Sequence, residues 1–170
     1  LIMPSPTPLD ELNAAVGEVS DLQHAAALIE WDEQVTMPPG GAPVHGEMLA
    51  TIRKLAHQNF TSDEVGGLLD RLKPGLSEMD RDSDAYRTIQ VTAHEYDKAR
   101  RVPAEFVAEQ AQATSAAQHA WIAARAASDF AAFRPHLETL VALRRRYVSF
   151  FPPAAHPYDI VRSEEHTSEL

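Results

Sequence analysis

The segment His94-Glu95-Tyr96-Asp97-Lys98 opens with the first two letters of the zinc-binding pattern His-Glu-x-x-His. In that pattern two imidazoles one helical turn apart chelate the metal, and the glutamate takes a proton from metal-bound water. Lys98 stands where the second imidazole belongs, and an ammonium has no lone pair to give, so an ordinary helix surface is expected here. His24, His57, His119, His136 and His156 lack the four-residue spacing that sets two ligands on one helical face, and are expected to be core or surface residues. The sequence contains no cysteine, which removes thiolate ligands, disulfides and cysteine nucleophiles and leaves any metal to His, Asp and Glu. Gly40-Gly41 and Gly66-Gly67 are not followed by the Lys-Ser or Lys-Thr of a phosphate loop, and the Gly-x-Ser-x-Gly elbow is missing. No catalytic, cofactor-binding or metal-ligating residue is assigned.

One cluster does call for partners. Glu30, Asp32 and Glu33 crowd the end of the first helical stretch, where the helix dipole is negative and carboxylates cost some tenths of a kcal/mol each. Asp32 is expected to be held by a cation or by the N-terminus of another helix, with Arg125 or Arg53 as candidates. Trp31 is expected to act as a packing anchor at a core edge. Arg144, Arg145 and Arg146 are consecutive, so they point in different directions and read as a solvated face. With 15 Lys plus Arg against 25 Asp plus Glu, the net charge of -10 disfavours nucleic acid as a partner.

The elements that would carry these residues are helical. Apolar residues recur at Leu9, Leu12, Val16, Val19, Leu22, Ala26 and Ile29 in the three-and-four rhythm of one helix face. Thr7, Pro8 and Asp10 mark the start of that helix, and Pro38 through Gly41 end it. A second helix is expected from Pro43 to Gln58, turning Val44, Met48, Ile52 and Leu55 inward. A third opens on a Thr61/Glu64 capping box and buries Val65, Leu68, Leu69 and Leu72. Tyr86, Ile89, Ala93 and Tyr96 outline a fourth. A fifth starts at Pro103 and turns Phe106, Gln110, Ala113, Ala117, Trp121 and Ala124 inward. Asp129 caps a sixth, whose core side is Phe130, Phe133, Leu137, Leu140, Val141, Tyr147 and Phe151, with Pro152-Pro153 as its stop. Strand alternation and hairpin turns are missing, so the fold class is all-α, an antiparallel array of about six helices. No apolar run reaches bilayer length and the opening residues do not resemble a signal peptide, which makes the cytoplasm the expected compartment and excludes a membrane partner.

Ile29-Glu30-Trp31-Asp32-Glu33-Gln34-Val35-Thr36-Met37-Pro38-Pro39-Gly40-Gly41 resembles the N-terminal signature of the M32, or carboxypeptidase Taq, family of metallocarboxypeptidases. Tyr96-Asp97-Lys98-Ala99 with Val102 to Val107, Trp121 to Arg125 with Asp129-Phe130, Phe133 to Leu137, and Pro157-Tyr158-Asp159 are similar to the blocks that follow in that family, in the same order. His45 departs from the pattern, since arginine is usual there. The resemblance implies the N-terminal part of a larger helical metallopeptidase, usually homodimeric, that removes residues one at a time from peptide C-termini. Its zinc, or another divalent metal, is held by a His-Glu-x-x-His helix and a later glutamate, none of which occurs here. On this reading residues 1–161 are the N-terminal helical part, and 162–170 (Arg162-Ser163-Glu164-Glu165-His166-Thr167-Ser168-Glu169-Leu170) resemble translated sequencing adapter and are expected to be a non-native tail. The chain alone would bind no metal and be inactive. The alternative is a non-catalytic helical interaction module.

Helices shaped to cover a missing partner leave apolar positions exposed when isolated, and large exposed apolar patches drive association. Expressed alone, the chain should aggregate or form oligomers in sedimentation velocity. A monodisperse monomer that melts cooperatively would favour the self-contained module.

Overall fold

A computed structural model of the protein describes residues 5–161; the tail at 162–170 lies outside these. Six long helices, α1 (Pro8–Val35), α2 (Ala42–Phe60), α3 (Asp63–Leu72), α4 (Asp84–Ala99), α5 (Ala104–Ala127) and α6 (Phe130–Val148), are followed by a short α7 (Pro157–Val161). Tight 3-10 turns at Pro39–Gly41 and Lys73–Glu78 complete the element order. The described residues contain no strand, and the all-α antiparallel array expected from the sequence is what forms.

The ends follow local chemistry. Thr7 caps α1 by accepting from the Asp10 amide while the Asp10 carboxylate accepts from the Thr7 amide at 2.9 Å and hydroxyl at 2.7 Å. These bonds, the hydroxyl's first, hold the Asp10 carboxyl below its ordinary range. Asp129 caps α6 by accepting from Ala132 N–H, as expected. The expected Thr61/Glu64 box is displaced by one residue: Ser62 is the cap of α3, accepting from Val65 N–H, and the Thr61 hydroxyl instead donates back to the His57 carbonyl at the end of α2. Two adjacent hydroxyls thus divide the work of closing one helix and opening the next.

Side by side, the helices run in the order α6, α5, α2, α1, α3, with α4 set against α3 and α2. At one end Leu12 of α1, Val65, Leu68 and Leu69 of α3, and Ile89 and Tyr96 of α4 form the larger core cluster. Each such fully buried aliphatic contributes about 1.5–3 kcal/mol. At the other end Val102, Phe106 and Leu143 bury a smaller cluster under Tyr147, Phe150 and Phe151.

Several inward positions expected from the sequence turn out to face away. In α2 the buried residues are Gly46, Leu49 and Ala56, whereas Val44, Met48 and Leu55 are exposed. Gripped between α1 and α5, α2 places two of its smallest residues in the seams, and its bulky stripe is left outward. Trp31 is 60% exposed and anchors no core edge. Trp121 is likewise exposed, with the Arg125 guanidinium over its ring. Phe130, Leu137 and Val141 of α6 are exposed because α6 ends the row and packs mainly on α5, with α7 beside it. The sixth helix stops at Val148, before Phe151, and α7 was not foreseen.

Neighbouring glycines in α3 have opposite surroundings. A Cβ on Gly66 would come 2.2 Å from the hydroxyl of buried Tyr96, which donates to the Ser62 carbonyl, while a Cβ on Gly67 meets nothing within 4 Å. Gly66→Ala should therefore destabilise by about 1–3 kcal/mol through overpacking. Gly67→Ala should stabilise by roughly 0.5–1 kcal/mol through helix propensity. Urea titrations of the two variants check the opposite signs.

Candidate functional site

The last turns of α1 carry Glu30, Asp32 and Glu33 with no basic residue among them. Three carboxylates at the negative end of a dipole need compensation from elsewhere, and the 3-10 turn at Pro39–Gly41 brings α2 back alongside to supply part of it. Glu30 is paired with the Arg53 guanidinium of α2, both groups being partly exposed. Asp32 accepts a hydrogen bond from the Thr36 hydroxyl, and His45 Nε2 of α2 lies 3.5 Å from its other oxygen. Its carbonyl closes the helix by accepting from the Thr36 and Met37 amides.

Asp32 is thus held, but by neither of the arginines expected. Arg53 sits level with Glu30, and Arg125 rests over Trp121 on α5. The partner is His45, where the resemblance leads one to expect an arginine. His45 is shorter than arginine and has only Nε2 directed at Asp32, while its buried Nδ1 has no hydrogen-bond partner.

Glu33 is the deepest of the three, its side chain 7% exposed. Ser115 Oγ donates to its Oε1 at 2.6 Å, and His119 Nε2 lies 2.6 Å from the same oxygen. A carboxylate only accepts, so the proton of that second contact is on Nε2. Ser115 and His119 are four apart on α5 and therefore share a face. Glu30, Glu33, Leu49, Arg53, Gln110 and Ser115 line one cavity beside the tie, and Gly46, Gln112, Ser115 and His119 line another, with Ser115 common to both.

Serine, histidine and glutamate together invite comparison with a hydrolytic triad, but the order is wrong. In a triad the imidazole lies between hydroxyl and carboxylate and takes the hydroxyl's proton. Here the carboxylate is central and the serine donates to it, so no base activates Ser115. The arrangement can clamp α1 to α5 and cannot generate a nucleophile.

The same accounting applies to a metal. Among the described residues no three His, Asp or Glu converge on one point. Asp32 and His45 offer two donors, and Glu33 spends its inward oxygen on Ser115 and His119. These residues do not fit a zinc ion, which takes three or four protein ligands. His94, Glu95 and Lys98 lie along α4, with Glu95 and Lys98 lining a separate cavity beside His57. His57 Nε2 donates to the Val102 carbonyl at 2.7 Å. His156 caps α7, its Nδ1 accepting from the Tyr158 amide. Arg146 pairs with Glu109 within the exposed arginine run.

The Glu33 clamp was missed in the sequence. Its partners stand 82 and 86 residues away, and the one available signal was a serine and a histidine four apart in an otherwise alanine-rich helix.

Comparisons with known proteins agree with one another. Residues 11–167 match the family model for carboxypeptidase Taq (M32) metallopeptidase. Carboxypeptidase 1 of Bacillus subtilis is 27% identical over 141 residues, which is 83% of this chain and 28% of that protein. Thermostable carboxypeptidase 1 of Thermus thermophilus is 29% identical over 140 residues, 81% of this chain and 28% of the other. The chain thus spans under a third of the length of these curated relatives. Among solved structures, the crystal structure of BsuCP superposes with a TM-score of 0.85 at 26% identity, over 91% of this chain and 31% of that one. A Pyrococcus furiosus carboxypeptidase shares the fold with a TM-score of 0.68, over 94% of this chain and 32% of its own.

Breaking the buried tie should cost more than breaking the exposed one. His119→Ala leaves the Glu33 carboxylate on Ser115 alone and should lose about 1.5–3 kcal/mol. Arg53→Ala removes a partly exposed partner and should lose about 1 kcal/mol or less. Glu33→Gln, which keeps an acceptor oxygen, should fall short of Glu33→Ala in denaturant melts.

Proposed function

The chain belongs to the carboxypeptidase Taq (M32) metallopeptidase family, and from that premise we propose that it is the N-terminal helical part of an enzyme that releases amino acids from peptide C-termini. The observation that carries this reading is the family match over residues 11–167, supported by a BsuCP superposition that takes in nine-tenths of the chain. In the proposal residues 1–161 are the N-terminal helical part of that enzyme and 162–170 a non-native tail, into which the family match runs as far as residue 167. The reaction chemistry resides outside this chain, with zinc or another divalent metal held by residues that the chain lacks. The full-length enzyme is proposed to be a cytoplasmic homodimer acting on peptides, with neither nucleic acid nor membrane as partner. No described helix is long and apolar enough to cross a membrane.

Within that enzyme the acidic end of α1 works mechanically. Glu30, Asp32 and Glu33 each reach a different side chain on α2 or α5. The signature segment around Trp31 is thereby held rigidly at the meeting point of three helices, the kind of support that a precisely shaped substrate groove requires. Lys54 of α2 adds a fourth tie, 3.2 Å from Glu105 of α5. The Glu105 carboxyl is held below its ordinary range, first by its own backbone amide and then by Lys54.

The longer polypeptide encoded by the source gene, purified and incubated with a peptide, should release C-terminal residues one at a time, and a chelator should abolish the release. The 170-residue chain should release none. Chelator-insensitive release, or a source gene lacking a His-Glu-x-x-His helix, would overturn the proposal.

A further inference from the structure

The cavity between α1, α2 and α5 is lined by charged groups that the helix ties leave only half spent. Both donors to Glu33 fall on Oε1, and among the described residues none is placed on Oε2, although the side chain is buried and lines the cavity. A buried carboxylate oxygen without a donor is costly unless water or a ligand meets it there. Arg53 lines the same cavity and gives one guanidinium nitrogen to Glu30, which leaves the donors on its other two nitrogens. Glu30 and Glu33 are three apart on α1, so their Cβ atoms are about 5–6 Å apart and the guanidinium held on Glu30 stands within a helical turn of Glu33. One small molecule can reach both.

We propose that this cavity binds a free α-amino acid, its ammonium on Glu33 Oε2 and its carboxylate on the remaining N–H groups of Arg53. Such charge-assisted hydrogen bonds are the strong kind, and a zwitterion satisfies an acceptor and a donor fork with one ligand. A simple amine would leave the guanidinium unused, and a simple carboxylate or phosphate would meet Glu30 and Glu33 as like charges. The rest of the lining suits a short polar side chain on an aliphatic skeleton: Leu49 and Val107 offer apolar contact, and Gln34, Gln110 and Gln118 offer amides. The volume is about 320 Å³, at the small end of the roughly 300–1,000 Å³ typical of ligand sites, which favours a single amino acid over an extended chain. The inference draws on the cavity alone and stands apart from the enzymatic reading.

L-Glutamine is the probe, titrated by saturation-transfer NMR against the longer polypeptide and against the 170-residue chain. Binding should be saturable for both. It should weaken roughly ten-fold or more for glutaminamide, which lacks the carboxylate, and for N-acetyl-L-glutamine, which lacks the ammonium. Arg53→Gln and Glu33→Gln should each cause a loss of the same size. Arg71→Gln, which breaks an exposed pair with Glu11 elsewhere on α1, should change nothing. Circular dichroism checks that each variant is folded, and if Glu33→Gln is not, Arg53→Gln decides, since its tie is partly exposed. The inference fails if L-glutamine does not saturate, if either derivative binds as tightly as the parent, or if Arg53→Gln leaves binding unchanged, as it would for a probe held elsewhere. Binding to the 170-residue chain that vanishes in the longer polypeptide sinks it too, because protein would then fill the cavity.

Discussion

A helix flanked by one neighbour on each side, as α1, α2 and α5 are, has two remaining faces, and a row built of such helices encloses little. Stable domains answer this by stacking a second layer. In this protein the α1, α3 and α4 end curls enough to bury the larger set of aliphatics, Leu12, Leu68, Leu69 and Ile89 among them, and Val102, Phe106 and Leu143 close the other end. The rest of the row is held by seams of small residues, by ion pairs between adjacent helices and by the Glu33 clamp. The exposed Trp31, Val44 and Phe130 follow from that geometry.

The polar ties are distributed accordingly. Where apolar burial is thin, between α1, α2 and α5, the structure uses Arg53 on Glu30, His45 beside Asp32, Lys54 on Glu105 and the pair of donors on Glu33. Exposed pairs contribute little singly. Their value here is alignment: each joins a different level of two long helices and so opposes sliding. The tie at Asp32 is the weakest of them, since the His45 imidazole presents one nitrogen to it at 3.5 Å and leaves the other buried without a partner.

What the sequence disclosed divides along physical lines. Helix existence, the caps at Thr7 and Asp129, and the first helix's buried stripe were legible because each depends on residues within a turn or two of one another. So was the family, through the segment from Ile29 to Gly41. The inward face of α2 was not legible, because hydrophobicity alone favours Val44, Met48 and Leu55. The decision fell to the seam, which admits Gly46 and Ala56. Asp32's partner was mistaken because a cation was sought by charge, whereas reach along the paired helices decides which group arrives. Glu33 could not be matched with Ser115 and His119 at all without the fold, as nothing local connects them.

That last separation has a bearing on how the chain is made. Glu33 leaves the ribosome long before His119, and at 5–20 residues per second the 86 intervening residues take roughly 4 to 17 s. Throughout that interval the α1–α2 hairpin can close while its end carboxylate stays hydrated. Only when the middle of α5 emerges can the carboxylate exchange water for a hydroxyl and an imidazole, so the joining of α1 to α5 is timed by synthesis and not by diffusion.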